Sequence, residues 1–259
     1  LYNNYLDDYN SKHPKKGFIQ EIMNPTPAAA ELESYKSILE KKSASTDAAL
    51  ITIGRNAGEF RDRKKENDFY LSTAETNLIK EVAAAYHAKG KKVIVIINAG
   101  GVIDIASWSH EADAILLAWQ GGQEAGNAVA DILSGKVNPS GKLATTIPVK
   151  YEDEASSKNF PGIEFPDKAT TGMFGAKAIP AEVTYEEGIY VGYRYFNTFS
   201  VKPAFEFGFG LSYTSFSYTG LKLSSASLNG KLTATVTIQN TGKTAGKEVV
   251  QLYISAPGK

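Results

Sequence analysis

The stretch AALITIGRNAGEFRDRKKENDFYL, residues 48–71, decides the fold because it joins an apolar strand to a charged loop. Ala48–Ile53 is a short apolar run with isoleucine at alternate positions, which predicts a strand ending at the glycine that follows. Glu59 lies in the next loop, and Ser72 and Glu75 then predict a capping box at a helix start. In open α/β sheets such loops leave the carboxyl ends of strands and line the ligand crevice, so we expect Glu59 there.

Strands and helices alternate along the chain beyond this stretch. Apolar runs predict further strands at Val93–Asn98 and Ala114–Ala118. The helical spacing of apolar residues predicts helices from Thr73 to about Lys89 and over Gln123–Leu133. Alternation with short connections favours a parallel sheet covered by helices on both faces. The expected fold class is therefore α/β, a three-layer α/β sandwich with a mostly parallel sheet.

Weaker patterns surround this core. Additional helices are expected over Tyr5–Tyr9, from Thr26 to Lys42 and over Val102–Trp108. Residues 151–181 are rich in polar residues with little periodicity, which indicates a long excursion between domains. Residues 231–255 alternate between apolar and polar positions.

The alternation near the C-terminus predicts a β-hairpin. One strand is expected to include Leu232, Ala234, Val236 and Ile238, and the other Val249, Gln251 and Tyr253. The turn between them is expected at residues 240–242, with the sequence Asn-Thr-Gly.

Composition excludes several classes of protein. The chain has 259 residues, enough for one large domain or two modest ones. Lysine plus arginine equals aspartate plus glutamate at 28 each, so no net field favours nucleic acid or an anionic membrane. The absence of cysteine excludes disulfides, thiolate metal ligands and a cysteine nucleophile. The longest aliphatic run, Val93–Ile97, is far shorter than the roughly 20 residues that span a bilayer.

Five ordered motifs resemble those of glycoside hydrolase family 3, the β-glucosidase and β-xylosidase family. The loop resembles the family's acid/base loop in Gly58-Glu59, Asp62-Arg63, Asp68 and Leu71-Ser72. The other four motifs are WQGGQEAG at 119–126, NPSGKL at 138–143 with Thr146 and Pro148, YEEGIYVGYRYF at 185–196, and FGFGLSY at 207–213. The resemblance covers roughly residues 47–259.

The resemblance implies a function and a division into domains. Glu59 corresponds to the general acid/base of a retaining β-glycosidase, most simply a β-glucosidase acting on a β-glucoside or oligosaccharide without a cofactor or metal. The aspartate nucleophile belongs to a TIM barrel of the same enzyme, and three strand-helix units cannot form such a barrel. We therefore expect this segment alone to be inactive. The domains implied are an α/β sandwich at 1–150, a linking or wrapping segment at 151–205, and the truncated start of a fibronectin type III-like domain at 206–259.

Alternative interpretations stay open from the residues alone. Glu59 can be a solvated carboxylate paired with Arg61 or Arg63, and the whole chain can be a non-catalytic carbohydrate-binding or structural module on the same scaffold. A general acid needs a raised pKa, whereas neighbouring arginines lower the pKa of a carboxyl group. The family often has Gly-Tyr or a similar pair after the glutamate, and here Phe60-Arg61 follows.

Other candidate residues favour structural roles. Trp119 can stack on a sugar, although a tryptophan that ends a buried strand is more often part of the core. The three histidines, His13, His87 and His110, lack metal-ligand spacing. The glycines of 121–126 follow a strand as a phosphate loop does, but they match neither nucleotide-binding pattern, and Glu124 would repel phosphate.

Overall fold

The computed structural model describes residues 2–23, 26, 35–55, 62–172, 175 and 177–255. The chain forms two compact units. The first comprises Leu1–Gln120 and Ile147–Ala204, and the second comprises Gly121–Thr146 and Phe205–Lys259. The helices of the described residues are Tyr2–Lys12 (α1), Phe18–Met23 (α2), Lys36–Ser45 (α3), Thr73–His87 (α4), Ala125–Leu133 (α5) and Tyr193–Thr198 (α6). The strands are Ala48–Gly54 (β1), Lys92–Asn98 (β2), Ala114–Leu117 (β3), Ile163–Glu164 (β4), Thr170–Thr171 (β5), Lys177–Ala178 (β6), Ala181–Glu182 (β7), Phe216–Leu223 (β8) and Ala234–Asn240 (β9).

A parallel sheet in the order β1-β2-β3 forms the core of the first unit. Strand β2 lies in the middle, and its Val93, Val95 and Ile97 are fully buried. Strand β1 alternates, with buried Ala49, Ile51 and Ile53 separated by more exposed residues. The α/β class, the parallel sheet and the three strand positions predicted from the sequence are thereby confirmed.

Helix α4 covers this sheet because one of its faces is apolar. Ile79, Val82, Ala83 and Tyr86 are buried, and the helix packs against β1, β2 and α3. It begins with the predicted capping box, in which Ser72 Oγ accepts a hydrogen bond from Glu75 N and Glu75 Oε2 accepts one from Ser72 N. The helix is therefore fixed at the end nearest the loop that follows β1.

Two short antiparallel pairs are nested in the polar segment of the first unit. Strand β4 pairs with β7, and β5 pairs with β6. Short 3₁₀ turns precede them at Tyr151–Asp153 and Ala155–Lys158. The interpretation of 151–205 as a linking or wrapping segment stays a prediction.

In the second unit, backbone hydrogen bonds join the NPSGKL motif at 138–143 to the FGFGLSY motif at 207–213. Leu143 N donates to Phe209 O at 2.8 Å, and Gly208 N donates to Leu143 O at 2.7 Å. A Cβ atom at Gly210 would lie 2.5 Å from the backbone oxygen of Gly141. Glycine is required at position 210 because the two backbones approach this closely.

Two predicted elements are wrong. The helix expected over Val102–Trp108 does not form. A single 3₁₀ turn follows these residues at Ser109–Glu111. The C-terminal hairpin has a different partner, because β9 pairs antiparallel with β8 and residues 249–253 form no strand. The fibronectin type III-like interpretation of 206–259 stays a prediction.

Other predicted helices are confirmed in part. Helix α1 includes the expected Tyr5–Tyr9, and α5 begins two residues after its predicted start at Gln123. Helix α3 contains the end of the helix expected from Thr26 to Lys42, whose first turns lie outside the described residues. None of the helices in the described ranges combines the length and apolar character that a membrane span requires.

Asp113 ties the amino ends of β2 and β3 to the end of α4. Its carboxylate accepts hydrogen bonds from Lys92 Nζ at 2.7 Å and Val93 N at 2.8 Å, and His87 Nε2 lies 2.9 Å away. The hydrogen bond from Lys92, followed by those from Val93 and His87, holds the pKa of Asp113 well below its usual value. The ionised form is therefore favoured in the folded state.

Replacing Asp113 with asparagine is expected to lower the free energy of unfolding by about 1–2 kcal/mol at pH 7, because it removes charge-assisted hydrogen bonds. The advantage of aspartate is complete above about pH 5, where Asp113 is ionised in both states. It declines as the pH falls below the ordinary value of 3.8, since the unfolded chain then binds a proton that the folded chain does not. Urea unfolding of both proteins at pH 7 and pH 3 measures this difference. If the two proteins differed equally in free energy of unfolding at pH 7 and pH 3, the lowered pKa assigned to Asp113 would be contradicted.

Candidate active site

The candidate site lies where the chain leaves the carboxyl ends of β1 and β2. Arg55 N donates to Asn98 O at 3.0 Å, so the pairing of the two strands continues one residue beyond β1. The predicted acid/base Glu59 belongs to residues 56–61, which lie outside the described residues. Its placement therefore stays a prediction. The structure does describe the residues on either side of this segment, and they form one connected polar network.

Arg55, which precedes the segment, is held by three groups. Its Nη1 and Nη2 donate to the two carboxylate oxygens of Glu75 at 2.6 and 3.0 Å. Its Nε donates to Asp68 O at 2.8 Å, and Nη1 also donates to Gly54 O at 2.7 Å. The side chains of Arg55 and Glu75 are only 10% and 13% exposed, so the pair is shielded from solvent. A bidentate pair of this kind fixes direction as well as distance.

Arg63, which follows the segment, is held by Asp68 and by the chain after β2. Its Nε and Nη2 donate to Asp68 Oδ1 at 2.9 and 2.6 Å. Its Nη1 donates to Val102 O at 2.8 Å. Asp68 Oδ2 also accepts a hydrogen bond from Lys64 N at 3.1 Å. The loop after β1 is thus tied to the loop after β2.

Gly101 leaves space for the hydrogen bond between Arg63 Nη1 and the Val102 carbonyl. A Cβ atom at that position would lie 2.7 Å from Arg63 Nη1. A side chain there would therefore displace the guanidinium from the Val102 carbonyl. The sequence has two glycines, Gly100 and Gly101, separated from the end of β2 by one residue.

A tight turn over Lys65–Phe69 presents Asp68 to both arginines. Asn67 has a φ of 59°, and Tyr70 N donates to Lys65 O at 3.0 Å. Asparagine tolerates this left-handed conformation better than most residues. Phe69 is buried behind the turn, and its carbonyl accepts a hydrogen bond from Asp104 N at 2.8 Å. The turn is therefore anchored to the loop after β2 through its backbone.

Asp104 and Trp108 stabilise the loop after β2. Both are about 2% exposed, and Trp108 Nε1 donates to Asp104 O at 2.6 Å. The Asp104 carboxylate accepts hydrogen bonds from Ser107 N and Ser107 Oγ. Asp104 was not singled out from the sequence. Its contacts give it a structural role beneath the site.

An aromatic cluster borders the network. The ring of Phe69 packs edge-on against Tyr70 and Tyr151, with centroid distances of 4.9 and 5.4 Å. Tyr151 N donates to Tyr70 Oη at 3.1 Å. Lys65 pairs with Glu152 beside these rings, and this hydrogen bond raises the pKa of Lys65 and lowers the pKa of Glu152. Both charged groups are well exposed.

The remaining candidates from the sequence lie elsewhere. His13 stacks on Tyr9, His87 contacts Asp113, and His110 lies 3.4 Å from Glu111. In the part of the chain that the structure describes, no group of three or more His, Cys, Asp or Glu side chains could hold a metal ion. Trp119 has a φ of 54° where β3 has ended.

Comparison with known sequences decides the family. Residues 3–193 match the sequence model of the glycosyl hydrolase family 3 C-terminal domain, which is most of this chain. The chain belongs to glycoside hydrolase family 3. The resemblance carried by the five motifs is thereby confirmed, and the candidate site lies inside the matched range.

Two curated relatives extend this result. Beta-glucosidase A of Butyrivibrio fibrisolvens is 37% identical over 99% of this chain, which covers 32% of that protein. An exo-alpha-(1->6)-L-arabinopyranosidase of Bifidobacterium breve is 34% identical over 88% of this chain and 28% of its own length. This chain therefore spans about a third of the length of the curated relatives that it matches.

A solved structure supports the fold. Beta-glucosidase 3B from Thermotoga neapolitana in complex with glucose has a TM-score of 0.78 and 43% sequence identity. The match covers 95% of this chain and 32% of that one. The α/β class read from the alternating strands and helices is therefore shared with that solved structure.

Proposed function

We propose that this chain is the acid/base-bearing part of a retaining β-glycosidase of family 3, most simply a β-glucosidase. The observation that carries the proposal is the family match over residues 3–193, because this range includes Glu59 and the residues that flank it. The named relatives are glycosidases, and each is about three times as long as the region matched. The rest of the active site is proposed to come from the remainder of such an enzyme.

Glu59 is proposed to act as the general acid/base. A retaining glycosidase uses two carboxyl groups about 5–5.5 Å apart, one as nucleophile and one as acid/base. Glu59 gives its proton to the leaving oxygen while the glycosidic C–O bond breaks and an aspartate attacks the anomeric carbon. The Glu59 carboxylate then takes a proton from the water that hydrolyses the glycosyl-enzyme. The aspartate is proposed to lie on a TIM barrel that this chain does not contain.

The described residues are consistent with this role. Arg55 and Arg63 flank the Glu59 segment, and both are fixed at the carboxyl ends of parallel strands. Ligands of open α/β folds bind at that edge of the sheet. The network therefore favours a substrate site at this edge of the sheet, next to the residues that flank Glu59 in the sequence.

The substrate is proposed to be a terminal β-D-glucoside, either an aryl glucoside or an oligosaccharide. The name of one relative specifies β-glucoside chemistry, whereas another is an arabinopyranosidase of similar identity. Proteins that share this region thus differ in the sugar they act on. We propose that the nonreducing sugar is selected mainly by the barrel.

The complete protein tests the proposal directly. We expect it to hydrolyse p-nitrophenyl β-D-glucoside and to release β-glucose first, which proton NMR detects before mutarotation. Retention follows from two successive displacements at the anomeric carbon. A panel with the β-xyloside, the β-N-acetylglucosaminide and the α-L-arabinopyranoside identifies the sugar. Release of α-glucose first would contradict the mechanism, and no hydrolysis across the panel would favour a non-catalytic sugar-binding or structural module.

A further inference from the structure

One residue, Asp68, binds the arginines that lie on both sides of the Glu59 segment in the sequence. Arg55 precedes residues 56–61 and Arg63 follows them after a single residue, and both side chains bind Asp68. Arg55 binds the backbone oxygen of Asp68, and Arg63 binds its carboxylate. Two positions that are eight residues apart in the chain are thereby joined through one residue.

The contacts to Asp68 are strong ones. Arg63 makes two hydrogen bonds to Oδ1, at 2.9 and 2.6 Å, and Lys64 N binds Oδ2 at 3.1 Å. The side chain of Asp68 is 25% exposed, so these contacts are partly shielded from water. Hydrogen bonds between ionised partners are roughly twice as strong as those between neutral groups. Loss of the Asp68 charge would therefore release Arg63 from this side of the network.

The network also pairs each arginine with a carboxylate. Glu75 pairs with Arg55, and Asp68 pairs with Arg63. Every guanidinium nitrogen of the two side chains donates a hydrogen bond to a carboxylate or a backbone carbonyl. These arginines are therefore committed to the scaffold of the site. Their arrangement is that of supports for the segment between them.

We propose that Asp68 is a positioning residue for the acid/base of this enzyme. The inference rests on the proposed function and adds a residue that acts through Glu59. Asp68 holds Arg55 through its backbone oxygen and Arg63 through its carboxylate, and these two arginines stand on either side of Glu59 in the sequence. General acid catalysis depends on precise positioning, because a displacement of about 1 Å can cost roughly 100-fold in rate. The role requires no contact between Asp68 and the substrate.

The test is the Asp68→Asn variant of the complete protein, compared on two glucosides. Asparagine keeps the shape of the side chain but loses its charge and one acceptor. We expect kcat/KM for methyl β-D-glucoside, whose leaving group needs a proton, to fall by about 10- to 100-fold. For 2,4-dinitrophenyl β-D-glucoside, whose leaving group departs without a proton, we expect a fall of less than about threefold. The ratio of the two losses separates positioning of the acid from general damage.

Asp113→Asn is the matched control. It makes the same substitution at a carboxylate of similar exposure, 22%, that also binds a backbone amide and a cationic side chain. It lies at the amino ends of the strands, and we expect it to leave the ratio of the two kcat/KM values unchanged. Arg63→Lys provides a second variant if Asp68→Asn does not fold, because lysine keeps the charge and cannot make the same three contacts.

The outcomes distinguish failure of this inference from failure of the proposed function. Equal losses on both glucosides, or no loss, would overturn the positioning role of Asp68. If Glu59→Gln changes the ratio and Asp68→Asn does not, the proposed function stands and this inference fails. If Glu59→Gln also leaves the ratio unchanged, the acid/base assignment fails and the inference falls with it.

Discussion

Replacing Glu59 with glutamine in the complete protein is expected to lower kcat/KM for methyl β-D-glucoside by about 10²- to 10⁴-fold. Glutamine has nearly the same shape but cannot give a proton to the departing methoxide. The same change is expected to lower kcat/KM for 2,4-dinitrophenyl β-D-glucoside by less than about tenfold, because that leaving group is already stable as an anion. Steady-state kinetics on the two glucosides measures the contrast.

Asp62→Asn is the matched control for this prediction. Asp62 is an exposed carboxylate three residues from Glu59, and its replacement is expected to leave both rates within about threefold. If the proton-dependent loss appeared with Asp62→Asn and not with Glu59→Gln, the acid would be misassigned. If neither variant changed the contrast, the acid would lie on another loop.

The second large expected effect is a complete loss of hydrolytic activity. Residues 1–259 expressed alone are expected to leave p-nitrophenyl β-D-glucoside uncleaved, whereas the complete protein cleaves it. One carboxyl group cannot carry out both displacements of a retaining mechanism, and the proposed nucleophile lies outside this chain. Release of p-nitrophenolate by equal concentrations of the two proteins measures the difference.

The control for the isolated chain is its folded state. Circular dichroism should report helix and strand content consistent with α3, α4 and the β1-β2-β3 sheet, so that inactivity is not a result of unfolding. Turnover by a folded 259-residue chain would mean that it holds a second catalytic carboxylate. Supplying the missing part of the enzyme in trans is expected to restore activity if the two parts reassociate.

The sheet could be predicted because each of its strands is a local signal. Ala48–Gly54 and Lys92–Asn98 are aliphatic runs bounded by glycine or asparagine, and burial on one or both faces follows from that composition. Helix α4 was equally clear, since its capping box and apolar stripe lie within 15 residues. The formation of these strands and of helix α4 depends mainly on residues that are close in the sequence.

The two wrong elements depended on competing or distant contacts. In Val102–Trp108, the Asp104 carboxylate binds Ser107 and the Asp104 backbone binds Phe69, which offers the chain an alternative to helical hydrogen bonds. The hairpin failed because alternation identifies a strand but not its partner. Strand β8 was missed because Gly220, at a φ of 66°, and a bulge between Thr219 and Lys222 interrupt its pattern.

The hydrogen bonds that hold the candidate site together could be predicted only in part. The sequence indicated a loop with arginines and acidic residues, but not which pairs would form. Arg55 finds Glu75 twenty residues away, and Arg63 reaches the Val102 carbonyl 39 residues away. Such pairings are set by the tertiary fold, because the loops after β1 and β2 meet at one edge of the sheet.

Glu75 has two duties, and they limit how this region can be exchanged between proteins. It caps helix α4 through Ser72 and also holds Arg55. A graft of residues 56–61 from another family member would have to match supports that it did not bring. A graft of residues 55–75 would carry both arginines, both of their carboxylates and the helix cap together. Enzyme chimaeras designed to alter the acid/base loop should therefore be cut outside these limits, with glycine kept at position 101 so that Arg63 can reach Val102.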